Sequence, residues 1–416
     1  MKVVILLTSA YPYNPGEQFL EKEIEFWAER GDCHVIVAPM TAVGESRSVP
    51  AGVKVDLTLA RINTRAQRFR FGLAALCSKQ LWRELGMVLK IFGFKPFCVM
   101  KALQSTMQTL LFANGIQAIS EKNGRADVAY SYWNDILSFS ALIAKERGHL
   151  RRVVSRAHGF DVYAERRRHG YMPLKWQFSQ SYDNIFFVAK NGWEYFGRTY
   201  PVKRERMAIR RLGVDTSGEG ICASSDLNEI QLVSVSSCIP LKRIDKIIGA
   251  LACLARRLEQ NKCISWVHFG DGELMDSHRE LAARELEPLG VRWKLYGAIP
   301  NSQINAFYES NKVDIFLNTS ETEGVPVSIM EAMAWGVPAI APDVGGVSEI
   351  VDAETGILLS KNPSVEEIAE AIARYWNISR DNALRQRVKS KIAAEFDAKK
   401  NYRKIIDEII EGNPVS

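Results

Sequence analysis

Two carboxylates, Glu323 and Glu331, stand eight positions apart in ETEGVPVSIMEAMAWGVPAIAPDVGG, residues 321–346. The preceding run, VDIFLNTS (313–320), reads as a strand, so Glu321 to Gly324 fall at its carboxyl end. Pro326 suits the first turn of a helix, where its missing N–H would have no intrahelical partner. Glu331 then lies in the second turn, its side chain leaning back towards the helix start. The unpaired N–H groups around Gly324, Val325 and Ser328 point the same way. Capping, at about 0.3–1 kcal/mol, explains a lone acid such as Glu323. It does not explain Glu331 inside the apolar run IMEAMAWG, where an acid without a partner is costly. Carboxylates accept hydrogen bonds from vicinal hydroxyls, as the acid of a dinucleotide fold does from a ribose. The pair therefore predicts one acid for a sugar ring and one for a ribose, with backbone donors between them. The acid and nucleophile of a hydrolase are the alternative, although no spacing argument puts the two on opposite sides of one bond.

Other segments carry residues of the right type. SRAHGFDVY (155–163) sets His158 and Asp161 just after a strand-like run. At the carboxyl end of a strand in an open α/β sheet, a histidine followed by glycine faces the ligand crevice. Asp161 would orient that histidine or cap the next segment. In YPYNPGEQF (11–19), Gly16 would let backbone approach a ligand, and the helix start after it favours anions; an ordinary turn is the plainer reading. HFGDGEL (268–274) offers Gly270 and Gly272 without the G-x-G-x-x-G of a nicotinamide site. SVSSCIPLKRID (234–245) brings Ser237, Lys242 and Arg243 to a strand end, where Lys242 by itself reads as a solvated lysine at a helix start. The seven cysteines are scattered, mostly in apolar runs and with no C-x-x-C, which predicts buried thiols in a reducing cytoplasm.

These residues need a scaffold. Short β-branched runs alternate with amphipathic segments: KVVILLT (2–8), CHVIVAP (33–39), DVAYSYW (127–133), VVSRAH (153–158) and NIFFVA (184–189) read as strands, and GEQFLEKEIEFWAERG (16–31) as a helix. The pattern restarts after the Gly- and Ser-rich RRLGVDTSGEGICASSDLNE (210–229). It continues with strands at 229–237, 263–270, 291–297, 313–320 and 337–343. Alternation of this kind predicts parallel sheets. The expected fold is α/β, with two Rossmann-like domains facing each other across a cleft: residues 1–209, then 210–395. A last helix over 396–416 is expected to return to the first domain. At 416 residues two domains are the natural division.

The N-terminus reads better as a buried first strand than as a signal peptide. No apolar stretch reaches the length of a membrane span. Net charge is +6 and unevenly spread: residues 51–110 carry ten Lys or Arg against two acids, together with aromatic and aliphatic residues at helical spacing. Either a solvated basic helix pair or a surface for anionic lipid or a phosphate-bearing acceptor would read this way. No nucleic-acid motif accompanies the charge.

E-G-V-P-V-S-I-M-E, followed by G-V-P-A-I-A, G-G and E-I-V, resembles the E-x7-E block of the retaining GT-B glycosyltransferases of family 4. The resemblance covers nearly the whole chain and is strongest from about 229 to 360. It implies a nucleotide-sugar donor held mainly by the second domain, no cofactor, no essential metal, and retention of anomeric configuration. Carried over, Glu331 would bind the donor ribose and Glu323 the donor sugar, whose hydroxyls the amides of Gly324 and Val325 would touch beside Pro326. Lys242 matches the lysine of the family's G-R-x-x-P-x-K-G segment and would stabilise the leaving diphosphate. The family arginine falls on Ser237, a departure that Arg243 or the Ser237 hydroxyl would have to offset. His158 corresponds to a histidine beside the reacting centre. Gly16 stands at the place of a glycine pair, Gly270 in a G-D-G turn, and Gly297 and Ala298 near the base. The implied role is transfer of a sugar to a glycan or polyprenyl-pyrophosphate-linked acceptor in bacterial surface polysaccharide assembly. That work would be cytoplasmic, at the inner face of the membrane, with peripheral contact to anionic lipid. A non-catalytic nucleotide-sugar-binding subunit and a sugar epimerase of the same fold remain the alternatives.

Overall fold

The computed structural model describes residues 1–14, 16–17 and 19–412. The chain divides into two compact units: Met1–Arg211 with the chain from Lys400 onward, and Leu212–Lys399.

The first unit is built on seven strands: β1 (Lys2–Thr8), β2 (Cys33–Pro39), β3 (Val53–Val55), β4 (Ala126–Ser131), β5 (Leu150–Ala157), β6 (Asn184–Phe187) and β7 (Met207–Ile209). They form one sheet in the order β3-β2-β1-β4-β5-β6-β7. Every pairing is parallel, with Ile5 set between Ile36 and Ala129. The second unit holds β8 (Glu229–Val235), β9 (Cys263–Phe269), β10 (Arg292–Leu295), β11 (Ile315–Leu317), β12 (Ala339–Pro342) and β13 (Gly356–Leu359). Their order is β10-β9-β8-β11-β12-β13, again all parallel. Central strands are apolar on both faces because the crossover helices cover both, which is why VVILL and IAP runs show no alternation. The strand order reverses between β1 and β4 in one sheet and between β8 and β11 in the other. Loops leaving the carboxyl ends of those neighbours diverge to opposite faces and leave a crevice.

Several elements differ from the sequence reading. Most strands end one to three residues early, because their last residues peel away into the loops that carry the site. The helix expected over 16–31 spans only Leu20–Ala28. β3, β7 and β13 were not foreseen; at three or four residues each, they are too short for a periodic signal. The basic stretch is four helices rather than a pair: Thr58–Ile62, Arg65–Leu76, Lys79–Phe92 and the start of Pro96–Lys122. Thr64 and Ser78 cap two of them by accepting from the Gln67 and Leu81 amides, and Pro96 opens the last. Cys77 is exposed, unlike the four buried cysteines.

From Lys400 on, the helix Ala398–Glu411 packs on the first unit. Arg403 pairs with Glu29 at 2.8 Å, Arg210 with Glu408 at 2.5 Å, and Arg152 donates to the Ile409 carbonyl at 2.9 Å. Beneath this helix the Arg156 guanidinium meets Glu23 at 2.6 Å, both side chains fully buried. Removing one member of such a pair leaves a charge buried and uncompensated. We expect Glu23→Ala to cost about 3–5 kcal/mol in urea denaturation. The double variant Glu23→Ala with Arg156→Met should lose less than the single one; an equal or larger loss would show that the charge pair is not what the site depends on.

Candidate functional site

In the second unit, the loops after β8 and β11 flank the strand-order reversal and are tied together across it. Lys242 Nζ donates to Glu323 Oε1 at 2.6 Å, and Asn318 Nδ2 donates to the same oxygen at 3.2 Å. Thr319 Oγ1 reaches the carbonyls of Lys242 and Arg243 at 3.0 and 2.9 Å, and the Glu321 amide donates to the Leu241 carbonyl at 2.9 Å. Two residues 81 positions apart are thus held as a partly buried ion pair, and Lys242 is not the free, solvated lysine its local sequence suggests.

The Gly-Gly pair after β12 clamps the acidic turn. Gly345 has φ +58°, and a Cβ there would stand 2.0 Å from the Glu323 carbonyl oxygen. The Gly346 amide donates to the Gly324 carbonyl at 2.7 Å. Pro326 sits one step outside the helix, which runs Val327–Ala334, rather than within its first turn. Among the described residues, the amides of Gly324, Val325, Val327 and Ser328 donate to nothing. Four donors at a helix start, next to a carboxylate and a lysine, can bind hydroxyl and phosphate oxygens together.

Glu331 occupies the second turn of that helix. Its Oε1 accepts from Asn301 Nδ2 at 2.6 Å; Asn305 Nδ2 donates to Asn301 Oδ1 at 2.8 Å, and Trp335 Nε1 to Asn305 Oδ1 at 3.2 Å. Burial pushes the Glu331 carboxyl up to about 7, and the single Asn301 bond offsets only part of that. Asn301 and Asn305 escaped the sequence reading, although their i, i+4 spacing on one helix was a usable sign.

A glycine platform supports the β8 loop. A Cβ on Gly270 would lie 1.8 Å from the Ser236 carbonyl oxygen, and one on Gly272 would lie 2.6 Å from that of Cys238. The Gly270 amide donates to the Gly297 carbonyl at 2.8 Å, with Ala298 exposed beyond it. Ser237 is exposed on the supported loop. Arg243, expected to offset the arginine missing at 237, is already engaged: its guanidinium meets Asp245 at 3.1 Å and Glu321 at 3.0 Å.

In the first unit, a second tie spans the reversal between β1 and β4. The Glu17 carboxylate accepts from the amides of Ser9, Ala10 and Tyr11 at 2.5, 3.0 and 2.8 Å, and from Trp133 Nε1 at 2.9 Å. Burial alone would raise this carboxyl, but the four donors bring it below the ordinary range. A Cβ on Gly16 would stand 2.6 Å from the Ala10 Cβ, so glycine is required by the loop's own packing. The anion expected at this turn is therefore the chain's own Glu17, which the sequence reading passed over.

His158 follows β5. Its ring stacks on Tyr132, with centroids 4.9 Å apart, and lies 4.7 Å from Trp133. Both ring nitrogens are buried without a partner among the described residues. Burial, then the nearby Arg156 charge, hold the imidazole well below its usual pKa and hence neutral. Asp161 steadies the main chain rather than the ring: its Oδ1 accepts from the His158 amide at 2.5 Å and its Oδ2 from the Asn134 amide at 2.6 Å. Among the described residues no group of three or more His, Cys, Asp or Glu is placed to hold a metal. A groove of about 500 Å³ runs over the amino-terminal half of β8–β10, beside Gln231, Trp293 and Asn311. It lies at the wrong end of the strands for this site.

The glycosyl transferases group 1 profile matches residues 223–393, which include every residue of the second-unit site. The match falls wholly within the second unit and takes in less than half of the chain. The chain is 36% identical over 112 residues to the putative teichuronic acid biosynthesis glycosyltransferase TuaC of Bacillus subtilis, covering 26% of this chain and 27% of that one. It thus spans about a quarter of TuaC. It is 23% identical over 355 residues to the amylovoran biosynthesis glycosyltransferase AmsK of Erwinia amylovora, covering 82% and 83%. The crystal structure of Anabaena HepE in complex with UDP and glucose superposes with a TM-score of 0.63 at 15% identity, over 99% of this chain and 100% of that one. The fold is the GT-B type, with a parallel sheet in each of two units.

The clamp on the acidic turn can be tested directly. Gly345→Ala should lower the melting temperature and weaken nucleotide binding together, because φ +58° costs a side chain about 1–2 kcal/mol even before the overlap. Gly72→Ala, whose Cβ would meet nothing within 4 Å in a helix interior, should be neutral or slightly stabilising. A Gly345→Ala protein that melts and binds like the wild type would remove the clamp.

Proposed function

We propose that the protein transfers a sugar, with retention of configuration, from a nucleotide-diphosphate sugar to a hydroxyl of a glycan or lipid-linked glycan, in the assembly of a bacterial surface polysaccharide. One observation carries the reading: the Lys242–Glu323 ion pair bridges the strand-order reversal beside four unbonded amides. The names of TuaC and AmsK, each a polysaccharide biosynthesis glycosyltransferase, support the biological setting. UDP in HepE supports the donor class.

In this reading the diphosphate lies against Lys242 and the helix-start amides, which neutralise the charge that develops as the sugar departs. Glu323 and the amides of Gly324 and Val325 take the sugar hydroxyls. Glu331 takes the ribose diol. Ser237 is left to donate a hydroxyl, since Arg243 is held by Asp245 and Glu321. His158, neutral and with both nitrogens unpartnered, is the first-unit residue assigned to the reacting sugar. The acceptor oxygen attacks from the face the diphosphate leaves, and the departing phosphate takes its proton. Charge neutralisation falls to side chains and amides, so the reading needs no metal. The engagement of Arg243 favours one second reading, a nucleotide-sugar-binding subunit without turnover. Slow donor hydrolysis by the purified protein separates the two.

Nucleotide diphosphates should reveal themselves in a thermal-shift panel, since a ligand at 100 times its Kd adds about 2.7 kcal/mol. Glu331 must ionise to accept two ribose hydroxyls, yet its free carboxyl titrates at about 7. In the unliganded protein its contribution to stability is complete below the unfolded carboxylate value and is lost as pH rises through about 7. Binding runs the other way: affinity should fall as pH drops from about 8 to about 6, approaching tenfold per unit below the free-enzyme pKa. Glu331→Gln should weaken binding and flatten that slope; an unaltered pH profile would take Glu331 out of the nucleotide site. For His158→Ala, kcat should fall by at least about a hundredfold while nucleotide Kd stays within about threefold, in the range typical of a group acting on the reacting centre. Wild-type turnover would end its assignment.

A further inference from the structure

The helices Arg65–Leu76 and Lys79–Phe92 turn an apolar stripe outward that nothing among the described residues covers. On the first, Phe69, Leu73 and Leu76 recur at i, i+4 and i+7, and Phe69 is 72% exposed. On the second, Trp82 and Leu89 repeat one face at i and i+7, and Trp82 is 64% exposed. The stripes are continuous, because Trp82 Nε1 donates to the Leu76 carbonyl at 2.8 Å. Phe94, 77% exposed in the turn that follows, extends them. The helix Lys79–Phe92 is not apolar all round: Leu81, Glu84 and Val88 form its buried face, so the exposed residues belong to a second face.

Charge says what covers this face. Between Leu57 and Ser120 the only acid is Glu84, and it is turned inward. Its carboxylate accepts from the Tyr171 hydroxyl and the Leu174 amide, both at 2.8 Å. Outward, interleaved with the apolar stripe, stand Arg65, Arg68, Arg70, Arg83 and Lys90, all exposed. Large apolar side chains flanked by cations, with no acid of these helices turned outward and Glu146 meeting the face only at Lys79, suit the boundary of a bilayer carrying negative headgroups. A protein partner of mixed charge would ordinarily meet both signs.

We propose that this face docks the first unit onto the surface of a bilayer containing anionic lipid, with Phe69, Leu73, Trp82, Leu89 and Phe94 entering the headgroup–acyl boundary and the arginines resting on phosphate. The proposal deepens the reading above by naming where a lipid-linked acceptor is met, but it stands on surface chemistry alone. No helix is long and apolar enough to cross a membrane among the described residues, so this contact would be peripheral.

Co-sedimentation of the whole protein with vesicles tests it. Binding is expected to phosphatidylglycerol-containing vesicles and not to pure phosphatidylcholine, and to persist in millimolar inorganic pyrophosphate. Phe69→Ser with Leu73→Ser and Leu89→Ser should abolish it. Arg68→Ser with Arg83→Ser and Lys90→Ser should weaken it on the order of 100-fold, about fivefold for each basic residue. Both variants should keep the wild-type nucleotide-induced thermal shift, which monitors the donor reading separately and shows that the fold is intact. The proposal fails if wild type ignores anionic vesicles, if both variants bind as wild type does, or if pyrophosphate displaces the protein, which would make the face a phosphate site. It also fails if sizing shows a dimer that the apolar variant dissociates, for then a second copy covers the stripe.

Discussion

A parallel sheet whose strand order reverses must leave a crevice at the carboxyl edge of the two strands beside the reversal, because the loops leaving them go to opposite faces. In this protein both reversals are bridged by a buried or half-buried carboxylate. Glu323 reaches Lys242 across the β11–β8 reversal, and Glu17 reaches Trp133 across the β1–β4 reversal. Each bridge adds a side-chain tie to the main-chain bonds that already join the two loops. The first works with the Gly346 bond to Gly324 in holding the turn that carries the unbonded amides from Gly324 to Ser328. The second fixes the polar edge of the indole that lies against His158.

The two bridges do different work. Glu17 is saturated: three amides and an indole fill its acceptor sites, so it is a structural anion in a cradle that could have held a ligand. Among the described residues Glu323 has only Lys242 and Asn318, both on one oxygen, and its second oxygen is unused. Glu331 is less satisfied still, with one amide partner and a carboxyl raised by burial. The order of satisfaction, Glu17 then Glu323 then Glu331, separates the acid that builds the fold from those able to bind a ligand.

The glycines obey the same division. Gly270, Gly272 and Gly345 each sit where a Cβ would strike the backbone of a neighbouring site loop. They support residues 236–238 and 323 from beneath. Gly16 does the same for its own turn. Their role is to let loops lie against each other.

How much was legible in the chain follows from range. Alternation of apolar runs and amphipathic helices, Pro326 before a helix, and an acid trapped in IMEAMAWG are local facts, and local sterics and burial oblige them to mean strand, helix start and a partnered carboxylate. The two parallel sheets, the E-x7-E helix and the strand-end placement of His158 and Lys242 could therefore be read from the residues alone. What a side chain pairs with is not local. Lys242 finding Glu323, Arg243 being taken by Glu321, and Glu17 filling its own cradle depend on which strands lie side by side. Strand order is set by crossovers dozens of residues long, so only the folded sheet decides whether a charged residue at a strand end meets a ligand or a neighbour.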